Sequence, residues 1–264
     1  MNNVAVRLFA LTTALLVMGL AGCGADTPDT EPSASASPEA EPAAEARDAL
    51  AGLAALGLDL RYAALYSLDT GDGAPRAVVA TVAQDGSWKV DIPNGALGGT
   101  AGVTVTRNAG GLFQCTLATE TNPITPTCVR VAERGDKVPR KYDPKVQRLF
   151  RQWLSVFTDR QSALAVSAVQ PLAGAEGSCY AVDSVSAALD APVDVGIYCY
   201  SEDGLLTAAR VEFGVLKLVR RVDGPQTVPL PGPEAGGQPM GMNSPPAVVQ
   251  PTDFPPSGQV ISPG

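Results

Sequence analysis

Short runs of strand-like and helix-like hydrophobic spacing follow one another along the chain, separated by turn residues. Leu205, Thr207, Ala209, Val211 and Phe213 alternate with Leu206, Ala208, Arg210 and Glu212. That period of two marks a half-buried strand. Comparable runs occupy 60–68, 76–83, 87–92, 103–107, 112–117, 128–132, 163–169, 179–185, 195–200 and 215–220. Asp85-Gly86 and Asp203-Gly204 stand between consecutive runs and read as hairpin turns, and Asp72-Gly73 as a further turn. Residues 44–58 are rich in Ala and Leu, with Leu50, Leu53, Ala54 and Leu58 partly in helical spacing. A short helix ended by Gly57 is expected there.

The clearest helical signal comes later. Val146, Leu149, Phe150, Trp153, Leu154 and Phe157 form one apolar stripe, about three turns long at 3.6 residues per turn. Asp143 is placed as its N-cap and Pro144 at its first helical position. This helix should cover a sheet face. Many strands with one good helix predict an antiparallel α+β domain.

Composition separates that domain from its flanks. Residues 24–46 hold four Pro, six acids and no cation, and residues 223–264 hold 11 Pro, seven Gly and no Lys or Arg. Neither can bury enough apolar surface to fold alone, so a disordered acidic linker and a disordered Pro/Gly-rich tail are expected. Residues 47–222 carry 18 cations and 18 acids. The net charge of -8 therefore belongs to the flanks, not to the fold.

The first residues form an address. Arg7 precedes an apolar stretch, 8–20, that ends in Leu20-Ala21-Gly22-Cys23. The stretch is too short to span a bilayer and suits a signal peptide over 1–22. The last four residues resemble the bacterial lipobox, which implies lipidation of Cys23. The expected location is the extracytoplasmic face of the cell membrane, held by a lipid anchor.

Chemistry is narrowed chiefly by what is missing. The chain has no His, so a Ser-His-Asp triad, a Cys-His dyad and a His-ligated zinc are excluded. An acidic chain without a basic domain is a poor nucleic-acid binder. Asp69-Thr70-Gly71 matches the aspartic-protease triplet, but no second copy exists to share its proton, and a polar turn is the better reading. Gly95-Ala96-Leu97-Gly98-Gly99 lacks the Lys of a phosphate loop. Ser178 reads as a strand residue, and Asp183, Asp190 and Asp194 as scattered solvated carboxylates. No catalytic residue, cofactor or metal is assigned, and a non-enzymatic role is expected.

With Cys23 lipidated, Cys115, Cys128, Cys179 and Cys199 remain, and outside the cytoplasm an even number favours disulfides. Three pairings exist. Cys115–Cys128 with Cys179–Cys199 is preferred because each pair sits on neighbouring strand runs. A four-thiolate metal site is the alternative, disfavoured because no CxxC occurs. Residues 130–160 concentrate nine cations against four acids. Lys145, Arg148 and Arg151, with Gln152, are expected opposite the apolar stripe. They form either a basic face toward anionic phospholipid or an anionic ligand, or an ordinary solvated helix face.

The lipobox, the acidic Ala/Pro/Ser tether and a many-stranded domain of this size together resemble actinobacterial cell-envelope lipoproteins. Among these, the pattern is similar to the lipid-binding LppX/LprG group, which shares the LolA-like fold. The resemblance covers residues 47–222, is architectural, and carries no individual functional residue. It implies a strongly bent, half-barrel-like antiparallel sheet covered by one or two helices around an apolar cavity. The stripe 146–157 and strands 195–220 would line that cavity, and a lipid or other apolar ligand would fill it. The alternative is a structural or interaction lipoprotein that docks an envelope protein through the Pro-rich tail or the basic helix face.

Overall fold

A computed structural model describes residues 40–119, 123–185 and 192–244. The lipobox with Cys23, most of the acidic linker, Asp190 and the chain beyond Ser244 lie outside the described residues.

All eleven strand runs form strands. They are β1 (Tyr62–Asp69), β2 (Arg76–Val82), β3 (Trp88–Ala96), β4 (Ala101–Asn108), β5 (Gly111–Thr116), β6 (Cys128–Ala132), β7 (Leu164–Val169), β8 (Ser178–Ser184), β9 (Gly196–Tyr200), β10 (Leu206–Val211) and β11 (Gly214–Asp223). They make one antiparallel sheet in the order β6-β5-β4-β3-β2-β1-β11-β10-β9-β8-β7. Two meanders, β1–β6 and β7–β11, are thus joined by the β1–β11 ladder. The sheet is curved and does not close. Register shifts at Leu65/Tyr66, Ile92/Ala96, Leu112/Phe113 and Leu206/Ala208 add the local twist that bends such a sheet.

Alternation decides what each face carries. Tyr62, Ala64, Tyr66 and Leu68 of β1 point to one side and are buried, as are Val78, Ala80 and Val82 of β2 and Tyr198 and Tyr200 of β9. Two helices cover that side: α1 (Ala40–Asp59) and α2 (Gln152–Thr158). Leu50 and Ala54 of α1 and Trp153, Leu154 and Phe157 of α2 complete the core. Phe150 meets Tyr66 with ring centroids 5.0 Å apart, and Phe157 meets Tyr198 edge-on at 5.2 Å. No described helix is long and apolar enough to cross a membrane.

Three expectations need correction. First, α1 begins at Ala40, inside the predicted linker, and runs through Gly57 rather than stopping there. Second, the 146–157 stripe is not one helix. Lys145 takes a left-handed φ of 56°, Val146–Leu149 forms a 3-10 turn, and α2 starts only at Gln152. The cause is the buried Asp143. Its carboxylate accepts the Lys145 N–H at 2.9 Å, the Gln147 amide at 3.1 Å and the Arg148 Nε–H at 2.6 Å. These bonds tighten the chain into a turn. The stripe is still wholly buried.

Third, the chain beyond Asp223 is no free tail over residues 224–244. Pro225 and Gln226 offer carbonyls to the N–H groups of Gln84 and Asp85 at 2.8 and 3.1 Å. Leu230 packs on Phe113 and the Cys115–Cys128 pair, away from the main core. Cys128 on the edge strand donates to the Pro233 carbonyl at 2.9 Å and accepts from Ala235 at 2.8 Å. Met240 and Met242 then pack on the main core. The segment is a strap that passes round the β6 edge from one face to the other. Proline suits it, because a residue with no N–H leaves fewer donors to satisfy while its carbonyl serves the edge.

The preferred disulfides are both present. Cys115 and Cys128 are register partners on β5 and β6, and Cys179 and Cys199 on β8 and β9. Each pair lies outside the main core, in a small cluster of its own. Two disulfides belong to an oxidising compartment outside the cytoplasm.

Candidate ligand-binding cleft

The space expected to be a lipid cavity is filled. Between the stripe and the central strands, among the described residues, Tyr62, Leu149, Phe150, Leu154 and Tyr200 close round a void of about 10 Å3. Bulky rings close what a small-residue sheet would have left open.

A different cleft opens beside α2. Its volume is about 330 Å3, and it lies between α2, the end of α1, strands β3–β5 and the loop after β6. Leu58, Leu112, Val138, Val156 and Trp88 supply its apolar wall, and Arg107, Arg151, Gln147, Gln152 and Ser155 its polar one. Strand parity delivers Trp88 and Arg107, which are register partners on β3 and β4. The Arg107 guanidinium lies over the Trp88 ring, 5.5 Å from its centroid. Trp88 is 5% exposed, and its indole N–H has no hydrogen-bond partner among the described residues.

Three cations, Arg107, Lys137 and Arg151, line the cleft against two acids. Among the described residues neither Arg107 nor Arg151 forms an ion pair, and Arg151 spends one Nη on the Leu58 carbonyl at 2.9 Å, at the end of α1. Burial lowers the pKa of Arg107, and Arg134 lowers it further. Burial also lowers that of Arg151; Arg107 and Arg61 push the same way, and Tyr62 and Asp59 oppose them. Both guanidiniums stay charged at any physiological pH. Two acids share the walls. Asp136 is at the exposed rim, and the Asp159 carboxylate is turned into its own loop, accepting from the Gln161 N–H and the Ser162 hydroxyl at 2.9 and 3.0 Å.

The basic residues singled out in the sequence do not gather into one free face. Arg148 is bound to Asp143 and lies over the Trp153 ring. Lys145 stands 3.5 Å from Glu212. Only Arg151 of the three lines the cleft. Arg107 went unnoticed because it is one cation in an apolar strand, and nothing in its spacing signals a cleft. Asp183 is exposed on β8, and Ser178 is a strand residue as expected. Asp194 is half-buried rather than solvated, with one carboxylate oxygen lacking a partner among the described residues. No group of three or more Cys, Asp or Glu is placed to hold a metal among the described residues.

A larger, open groove of about 830 Å3 lies where the start of α1 stands beside β7–β9. Ala43, Ala44, Leu164 and Val195 are typical of its lining. Its cation, Arg47, gives one Nη to the carbonyls of Asp159 and Ser162, while its other Nη is buried without a partner among the described residues.

No family model matches the chain, and no curated protein does. Among solved structures, one described as the crystal structure of MucB aligns with a TM-score of 0.38 at 16% identity. The alignment covers 76% of this chain and 66% of that one. At this level the match carries nothing over to the cleft.

Proposed function

We propose that the chain is a non-enzymatic lipoprotein, anchored through Cys23 on the extracytoplasmic face of the membrane, that binds a small amphiphilic ligand in the α2 cleft. The observation that carries this reading is the make-up of the cleft, with apolar and polar walls facing one space beside a core packed with rings. Its volume is at the lower end of ligand pockets. It suits a headgroup with a short apolar portion, not a lipid enclosed whole. The lipobox at residues 20–23 and the two disulfides support the location. The missing histidine supports a role in binding rather than catalysis. This is the lipid-binding reading that the LppX/LprG resemblance implies, moved from the sheet interior to its rim.

The test is native mass spectrometry of the exported, folded chain, followed by organic extraction. Extra mass that dissociates as an amphiphile is the expected result. A clean apo mass, with no uptake of charged or neutral short-chain amphiphiles, overturns the reading.

A second reading, docking of an envelope protein, is favoured by the far sheet edge. The strap protects β6, whereas β7 has no charged residue, no proline and, among the described residues, no strand on its outer side, so it offers a template for strand addition. Lysines at Ala165 and Ser167, both exposed, should abolish such docking and leave ligand uptake unchanged.

A further inference from the structure

The cleft also constrains the chemistry of its ligand. Two guanidiniums border it, and neither has a carboxylate partner among the described residues. Charges brought toward a protein interior are ordinarily paired, so an unpaired couple is explained when the counter-charge comes from outside. The stacking of Arg107 on Trp88 sets the plane of one fork, whose N–H groups meet no carboxylate or carbonyl among the described residues. Arg151 has one Nη committed to Leu58 and donors to spare. The Trp88 indole N–H is buried in the same wall and, among the described residues, unpartnered. The two guanidiniums thus bring donors to a cleft with an apolar wall, and neither has a carboxylate partner among the described residues.

Resting on the ligand-binding reading of the same cleft, we infer that the ligand carries a phosphate headgroup, held by Arg107 and Arg151, with an apolar portion against Leu58, Leu112 and Val156. Forked guanidiniums match phosphate oxygens in charge and geometry. A doubly charged monoester would neutralise both. The apolar wall gives a reason for the group to arrive on an amphiphile rather than as free phosphate.

The full chain carrying Cys23→Ser keeps every described residue and can be titrated without detergent. Calorimetry would compare short-chain lysophosphatidic acid, below its micelle concentration, with short-chain lysophosphatidylcholine, octyl glucoside and inorganic phosphate. Lysophosphatidic acid is expected to bind best, and Arg107→Gln to weaken it by about tenfold or more, the effect of losing charge-assisted hydrogen bonds. Ser155→Trp, on an exposed α2 position that lines the cleft, should block binding without touching the core. It serves as the test if Arg107→Gln fails to fold. Equal binding of all three amphiphiles, insensitive to Arg107→Gln, overturns the headgroup assignment and leaves the amphiphile reading standing. Inorganic phosphate binding as tightly as lysophosphatidic acid overturns the amphiphile source and leaves the arginine pair as an anion site. No binding by any probe overturns both.

Discussion

Gly57 of α1 and Gly204 of the β9–β10 turn touch through their backbones. A Cβ on Gly57 would fall 2.5 Å from the Gly204 carbonyl oxygen, and one on Gly204 would collide with the Gly57 nitrogen and the Leu53 carbonyl. Gly204 also has a φ of +84°. The helix is therefore seated on the sheet at a point where neither side can carry a side chain.

Gly204→Ala should cost about 2–4 kcal/mol, from left-handed strain and overpacking together. Gly52→Ala is the control. It lies in the same helix with nothing within 4 Å, and should be neutral or stabilising by about 0.5–1 kcal/mol. Urea denaturation measures both. Equal effects at the two positions would show that the contact is not what holds α1.

The carboxamide of Gln114 and the backbone of Met240 bond reciprocally. Met240 N–H donates to Gln114 Oε1 at 2.6 Å, and Gln114 Nε2 donates to the Met240 carbonyl at 2.9 Å. Gln114→Ala strands a half-buried backbone donor and acceptor, at about 1 kcal/mol or more. Hydrogen exchange should rise in residues 239–243 and stay unchanged in β1 and β2. An unchanged strap would refute its fastening at Gln114.

Each disulfide joins register partners, across 13 and 20 residues of chain. In the chain-entropy description, losing either costs about 3 kcal/mol. Paired Cys→Ala variants, denatured with and without reductant, give the size. A wild type whose urea midpoint ignores reductant would contradict this.

Asp194 should make the fold less stable as pH rises. Burial holds its carboxyl above the usual aspartate value, against the pull of Arg148 and Lys145. Between the ordinary value and the raised one the folded chain keeps a proton that the unfolded chain has lost, so stability falls with pH across that window. Asp203 runs the other way: burial pushes its carboxyl up, but Ser201 and Arg221 outweigh this and hold it low. The informative comparison is thus wild type against Asp194→Asn at each pH. The variant should be more stable at neutral pH, with the gap closing in acid. A variant destabilised at neutral pH would sink the argument.

Cys23→Ser should release the chain from membranes, since acyl chains supply about 0.8 kcal/mol per buried methylene. Fractionation checks this. A variant that stays in the membrane pellet would remove the anchor from the proposed function.

Local pattern made the strands legible. Each of the eleven runs owes its position to alternation and to turn residues, which act over a few neighbours. The cysteine pairing followed from the same adjacency. The helices were less legible. The 146–157 stripe correctly marked what is buried, because burial follows periodicity, but not how the backbone runs. One buried carboxylate, Asp143, collects three donors and overrides helical propensity there. Gly57 was read as a stop signal because glycine often ends helices; its role is close approach to a turn almost 150 residues away in sequence.

The sequence by itself determined the strand inventory, the α+β class, the preferred disulfide partners and the absence of histidine chemistry, since these depend on residue type and short-range spacing. Tertiary structure alone decided that the presumed cavity is packed with rings and that a proline-rich segment closes a sheet edge. It also brought Arg107 and Arg151, from opposite sides of β6 in the chain, to one cleft. Such features depend on which distant surfaces meet, and composition reads a segment as disordered when its partners lie a hundred residues away.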